Sequence, residues 1–100
     1  TFKPYSLYPP IELDLAFFVS LDIPVNQLIQ KMKEVGGNLL KEIELFDDYR
    51  GESVPERQRN LAFSLLYRSN ERTLTDKDVG TIHNKVRESL VEEFNVTLRS

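Results

Sequence analysis

Few residues in this chain could carry covalent chemistry. Its single histidine, His83, cannot build a histidine pair or a multi-histidine metal site. There are no cysteines, which excludes disulfides, iron–sulfur clusters and thiolate zinc sites together. No glycine-rich phosphate loop and no nucleophile motif occurs. Asp47, Asp48 and Glu52 could be grouped as a hard-cation site, but the spacing of a calcium loop is missing around them. What the sequence does hold is a set suited to non-covalent recognition. Asp47 is a carboxylate acceptor that suits the amino and imino donors of a guanine edge. Tyr49 offers a ring on which a base could stack, a contact worth roughly 1–3 kcal/mol. Arg50, Arg57, Arg59, Arg68 and Arg99 are candidates to meet phosphates.

The elements that must position these groups can be read from periodicity. Residues 1–10 contain Pro4, Pro9 and Pro10 with Phe2, Tyr5 and Tyr8, and read as an extended arm pinned by its aromatics. From Glu12 to Ser20 apolar residues alternate, with Leu13, Leu15, Phe17 and Val19 on one side, so this is a strand. Pro24 permits a helix start, and Val25, Leu28, Ile29, Met32 and Val35 share one helical face. Gly36-Gly37 ends that helix in a left-handed cap. Leu39 to Tyr49 reads as a second strand whose broken alternation at Leu45-Phe46-Asp47 predicts a bulge. A third strand runs from Arg59 to Ser69, with Leu61, Phe63, Leu65 and Tyr67 inward. Thr75 caps a second helix, with Asp76 and Asp78 in its first turn and Val79, Ile82, Val86 and Leu90 as its apolar stripe. Phe94 to Arg99 alternates and reads as a last strand. His83 falls beside the stripe and reads as a surface or boundary residue without a role.

The order βαββαβ predicts an α+β, ferredoxin-like fold: a four-stranded antiparallel sheet with both helices on one face and strands one and three central. A hundred residues suffice for one such core, giving an arm over 1–10 and a single domain over 11–100. The abrupt start at Thr1 suits a domain cut from a longer protein, and shows neither the charged start nor the apolar run of a signal peptide. No run of apolar residues is long enough to span a membrane.

Two helices on one face leave the other face for a ligand. Asp14, Ala16 and Phe18 on strand one, Asn60, Ala62, Ser64 and Arg68 on strand three, and Thr97 and Arg99 on strand four should emerge there. Ala16, Ala62 and Ser64 make a shallow floor where a flat ring can approach, with Tyr49 at its edge. A sheet presenting aromatics to unpaired bases is one mode of RNA reading. The same small-residue face would serve equally as a docking surface for another domain, and the arginines as solvated partners of the sixteen acidic residues. A net charge of −3 argues against general nucleic-acid binding, so any RNA role must rest on a local patch.

The stretch Leu45-Phe46-Asp47-Asp48-Tyr49-Arg50-Gly51 resembles a signature of the ferredoxin-fold anticodon-binding domain that closes the β subunit of bacterial-type phenylalanyl-tRNA synthetases. Tyr8-Pro9-Pro10 with Asp14-Leu15-Ala16, Arg59-Asn60-Leu61-Ala62-Phe63, Glu71-Arg72-Thr73-Leu74-Thr75-Asp76 and Leu98-Arg99 are similar to the same family, in order along nearly the whole chain. The chain departs from the family pattern at Leu13, where an arginine is usual, and at Asn60, where a serine is usual. The resemblance implies a cytoplasmic protein whose partners are the anticodon stem-loop of tRNA(Phe) and the rest of the synthetase, including its α subunit. ATP and magnesium would be used there, with no cofactor in this domain and no membrane partner, and the excised domain would be monomeric. It implies RNA-binding roles for Ala16, Asp47, Tyr49, Asn60 and Arg99, to which the small-residue floor adds Ala62. Two other readings of the fold compete. A regulatory module of the ACT type would bind ligands at helix–strand junctions in dimers. An acylphosphatase-like enzyme would need a phosphate loop that Leu21-Asp22-Ile23-Pro24 does not provide.

Overall fold

In the computed structural model, which describes residues 8–99, the elements run β1 (Ile11–Ser20), α1 (Val25–Gly36), β2 (Leu40–Tyr49), β3 (Gln58–Tyr67), α2 (Asp76–Phe94) and β4 (Thr97–Leu98). The four strands form one antiparallel sheet in the order β2-β3-β1-β4. Strands one and three are therefore central, and this is the ferredoxin-like α+β arrangement that the order of elements predicts. The arm proposed for residues 1–10 lies mostly outside the described residues.

Alternation in β1 and β3 builds the core. Leu15, Phe17 and Val19 face the helices together with Leu61, Phe63, Leu65 and Tyr67, and all seven are essentially inaccessible to solvent. Phe17 and Phe63 stack with ring centroids 5.8 Å apart. Leu28 and Met32 of α1 and Val79, Val86 and Leu90 of α2 close the layer from above. Burying each such side chain stabilises the fold by about 1.5–3 kcal/mol.

The helix ends follow local chemistry. Pro24 is extended and stands just before α1. Gly37 ends the helix at φ 64°, ψ −150°; this is the region open essentially to glycine, not the left-handed helical one expected. A 3-10 turn over Gly37–Leu39 follows and delays β2 to Leu40. Thr75 caps α2: its hydroxyl accepts from the Asp78 N–H, and the Asp78 carboxylate accepts from the Thr75 N–H. Arg72 donates to the same carboxylate at 2.7 Å, and these contacts, the Arg72 one foremost, hold the Asp78 carboxyl down to about 2.

Three expectations need correcting. The last helix does not stop before Phe94; it runs through it, Asn95 turns the chain in the left-handed region (φ 56°), and β4 is only two residues long. Strand three spans Gln58–Tyr67 and so ends before Ser69. His83 is not a surface residue: it is 8% exposed. Its Nδ1 lies 2.9 Å from the Tyr67 hydroxyl, with the two rings edge to face. The reason is polar satisfaction, since a buried tyrosine hydroxyl needs a partner. The histidine ring also bonds the backbone of Asp14, on the stretch of β1 that the short β4 leaves unpaired.

Burial holds the His83 pKa below its ordinary value, aided by repulsion from Arg87 and opposed by the Asp14 backbone contact. The unfolded chain therefore binds this proton first. Stability should be complete above pH 6.5, the ordinary value, and fall as acid reaches the folded-state pKa. Urea unfolding between pH 7 and pH 5 should show this loss, and His83→Gln should flatten it; equal slopes for both proteins would remove His83 as the cause. At neutral pH, Thr75→Ala should cost about 1 kcal/mol through the lost cap, read from the urea midpoint at unchanged slope.

Candidate nucleic-acid interface

The face of the sheet away from the helices is ordered by register. Three strands bring their outward side chains into rows: Glu12, Leu66 and Glu42; then Asp14, Ser64 and Glu44; then Ala16, Ala62 and Asp47; then Phe18, Asn60 and Tyr49. Successive rows are about 7 Å apart, two residues along a strand. All of Ala16, Asp47, Tyr49, Asn60 and Ala62 therefore stand in two adjacent rows.

Asp47 and Tyr49 reach this face because of the bulge. Leu45 pairs with Phe63 and faces the helices, yet Asp47 pairs with Ala62, the very next residue of β3. Phe46 is the extra residue in between. Without the bulge, with Phe46 itself paired to Ala62, strict alternation from Leu45 would turn Asp47 and Tyr49 towards the core and Asp48 outward. With it, Asp48 is the one on the helix side, where it meets Arg59 at 3.5 Å. The broken alternation at Leu45-Phe46-Asp47 is thus a bulge, and it sets the phase of the site.

The floor and its walls have distinct characters. Ala16 and Ala62 face each other at its centre. Asn60 is only 6% exposed although it lies on the open face, and its side-chain oxygen has no hydrogen-bond partner. Tyr49 stands 46% exposed beside it. The Tyr49 ring and hydroxyl lie against Gly51, where a β-carbon would collide with them; glycine is thus required for the ring to rest there. Arg99 closes the opposite side. Its N–H donates to the Ala16 carbonyl at 2.8 Å, and its guanidinium lies 5.0 Å from the centroid of the Phe18 ring, a cation–π contact. The arrangement offers a flat apolar rest, an acceptor pair in Asp47 and Asn60, a ring wall and a cation.

Not every expected residue joins this set. Arg59, a candidate phosphate contact, is turned inward: it pairs in register with buried Val19. Its guanidinium also donates to the Ile23 carbonyl at 3.2 Å, tying the β1–α1 loop to β2. Arg50 and Arg57 are exposed in the β2–β3 loop, with Arg57 at φ 62°. Conversely, Glu12, Glu42, Glu44, Phe46 and Leu66 share the open face without having been expected there. Counting by twos from Asp14 and Ser64 would have found Glu12 and Leu66. Among the described residues, no group of three or more histidine, cysteine or acidic side chains is placed to hold a metal ion, and no helix is long and apolar enough to cross a membrane.

The chain's relatives are consistent in kind. Residues 6–99 match the model of the ferredoxin-fold anticodon binding domain. The chain is 54% identical over 99 residues to the phenylalanine–tRNA ligase β subunit of Trichormus variabilis and, to the same extent, to that of Synechocystis sp.. It is 44% identical over 99 residues to the corresponding subunit of Symbiobacterium thermophilum. In each case 99% of the chain is covered, but only 11–12% of the relative; the chain spans about an eighth of these proteins.

The bulge makes a sharp prediction. Deleting Phe46 removes the extra residue and leaves Leu45 opposite Phe63 and Asp47 opposite Ala62 in an uninterrupted ladder, so the variant should keep its fold with Asp47 and Tyr49 still on the open face. Phe46→Ala keeps the residue count and, at a side chain 53% exposed, should change stability by no more than about 0.5 kcal/mol. Chemical denaturation of both variants checks this; a deletion far more costly than the alanine change would mean that the end of β2 depends on the bulge for more than its register.

Proposed function

The chain belongs to the ferredoxin-fold anticodon binding domain family, and from that premise we propose that it is the module with which a phenylalanine–tRNA ligase β subunit reads the anticodon stem-loop of tRNA(Phe). On this reading the chain has no catalytic residue. ATP- and magnesium-dependent attachment of phenylalanine belongs to the α subunit of the parent enzyme, in the cytoplasm. Residues 11–100 act as one domain, with residues 1–10 as its arm, and the excised chain is monomeric.

One observation supports the reading above the rest: the buried Asn60 oxygen without a partner, one row from Asp47. Leaving a buried acceptor unmet costs about 1–3 kcal/mol, and a turn of the Asn60 amide toward the open face would let a ligand's donor recover it. A guanine resting on Ala16 and Ala62 presents imino and amino donors along one edge, suited to Asn60 and Asp47 together. Tyr49 supplies the stacking wall. Arg99 then meets the sugar–phosphate side, joined by Arg50 and Arg57 of the loop. The asparagine takes the place where the family usually has serine, and both side chains can accept such a bond. Leu13, where the family usually has arginine, pairs in register with Leu65 and packs against the core, so the arginine's place in this chain is apolar.

An NMR titration of the isotope-labelled chain with the tRNA(Phe) anticodon stem-loop at low salt tests the proposal. Shifts should cluster at Ala16, Asp47, Tyr49, Asn60, Ala62 and Arg99 and vanish with a scrambled loop. Because other domains would supply most phosphate contacts, affinity should be far weaker than nanomolar. Tyr49→Ala should weaken binding by roughly 1–3 kcal/mol without unfolding the chain, and Asp47→Ala should lose preference for guanine at the first anticodon position. Unchanged binding by the tyrosine variant would remove the stack; shifts elsewhere on the surface would favour a docking face instead.

A further inference from the structure

The open face divides into two halves of opposite character along the strand axis. Beyond the alanine floor, Asp14 and Glu44 flank Ser64, and one row further Glu12 and Glu42 flank Leu66. These four exposed carboxylates surround a depression of about 460 Å³. None of them takes part in an ion pair among the described residues: the pairs present join Lys31 with Glu34 and Glu93, Arg59 with Asp48, and Arg72 with Asp78. The cations nearest in register, Lys41 and Arg68, belong to the far end, past the outer row. Like charges so placed on one sheet face repel one another and weaken it. The row that borders the floor carries two carboxylates and no cation. It lies about 7 Å from Ala16 and Ala62, within the Debye length of about 8 Å at physiological ionic strength.

Resting on the anticodon reading above, we propose that Glu12, Asp14, Glu42 and Glu44 are specificity-determining residues that act by repulsion. They hold the phosphate backbone off their half of the sheet. A nucleotide is then admitted to the floor only when its phosphates lie toward Arg50, Arg57 and Arg99. Discrimination by penalising the wrong pose is as effective as rewarding the right one. It also fits a chain of net charge −3, which cannot rely on general attraction. Base edges carry donors that an acidic border does not repel, whereas every phosphate meets the penalty. The fence therefore suits an unpaired base presented at the tip of a loop, and disfavours a strand laid along the face.

The test compares two variants with the same change in net charge. One is E12Q/D14N/E42Q/E44Q on the sheet; the other is E34Q/E88Q/E92Q/E93Q on exposed positions of the helix layer. Each is titrated with the tRNA(Phe) anticodon stem-loop and with an unrelated stem-loop of equal length, by fluorescence anisotropy at several salt concentrations. The sheet variant should bind the unrelated RNA roughly tenfold more tightly than the unaltered chain at low salt, with a steeper salt dependence. Its preference for the matching loop should shrink. RNA-induced NMR shifts should spread past Ala62 to Ser64 and Leu66. The helix variant should keep the original preference and the original shift pattern. If both variants behave alike, or if the sheet variant gains nothing on unrelated RNA, the fence is overturned while the anticodon reading stands. If the unaltered chain shows no preference for the matching loop, the anticodon reading falls and the fence with it.

Discussion

A β-strand turns successive side chains to opposite faces with no slack, so one residue set out of the ladder as a bulge exchanges the parity of everything beyond it. Phe46 is that residue here. After a first irregularity between Leu40 and Glu42, β2 presents Ile43 and Leu45 to the helices opposite Leu65 and Phe63; beyond Phe46 it is Asp48, opposite Leu61, that faces them. The consequence reaches both layers. Asp48 comes to the helix side, where it meets Arg59, and through Arg59 the β1–α1 loop is tied to the end of β2. Asp47 and Tyr49 come to the open side, level with Ala62 and Asn60. The cost is an exposed phenylalanine and an interrupted ladder at the sheet edge, where bulges are best tolerated.

That edge could not hold its geometry on a loose sheet. Seven inward side chains from the two central strands are almost wholly excluded from water, and interiors packed so tightly resist displacement. One polar demand is met within the same scaffold. The Tyr67 hydroxyl finds His83, and the histidine ring in turn serves the backbone of β1 where β4 has not reached. The contrast with Asn60 is instructive. The Tyr67 hydroxyl sits under the helices and is satisfied by the protein, whereas the Asn60 oxygen sits on the open face and is not. An unmet group at a rigid surface is compatible with folding only because the core around it supplies the stability.

Much of this was legible in the sequence because it depends on periodicity and on caps. β1, α1, the Thr75 cap and the inward set of β3 follow from residue spacing, and the bulge showed itself as failed alternation. At His83 and Arg59 residue type misleads where position does not. His83 stands four residues after Val79 and three before Val86, squarely on the buried stripe, but a histidine suggested a boundary. Arg59 is two residues before inward Leu61, so parity turns it inward, but its charge suggested solvent. Alternation at Phe94 to Arg99 predicts too long a last strand, because it does not show that α2 still gains by burying part of Phe94. The burial of Asn60 was not legible at all, since it arises from neighbours on two other strands. The resemblance to a family carried the functional reading beyond what the residues alone supported.

The net charge of −3 constrains how such a surface can recognise RNA. Reading a base edge rich in donors calls for acceptors, and carboxylates are the strongest available; holding a phosphate backbone calls for cations. Placed together, the two would pair with each other and serve neither purpose. Here they are held apart by register. Asp47 and Asn60 occupy the floor, Arg99 is held across Phe18 on the flanking strand, and Arg50 and Arg57 lie in the loop beyond Tyr49. On the proposed reading, an acidic domain can recognise a polyanion because it meets the base and the phosphate at different places along the strands. Most of the attraction is then left to the rest of the enzyme, and this surface is free to discriminate.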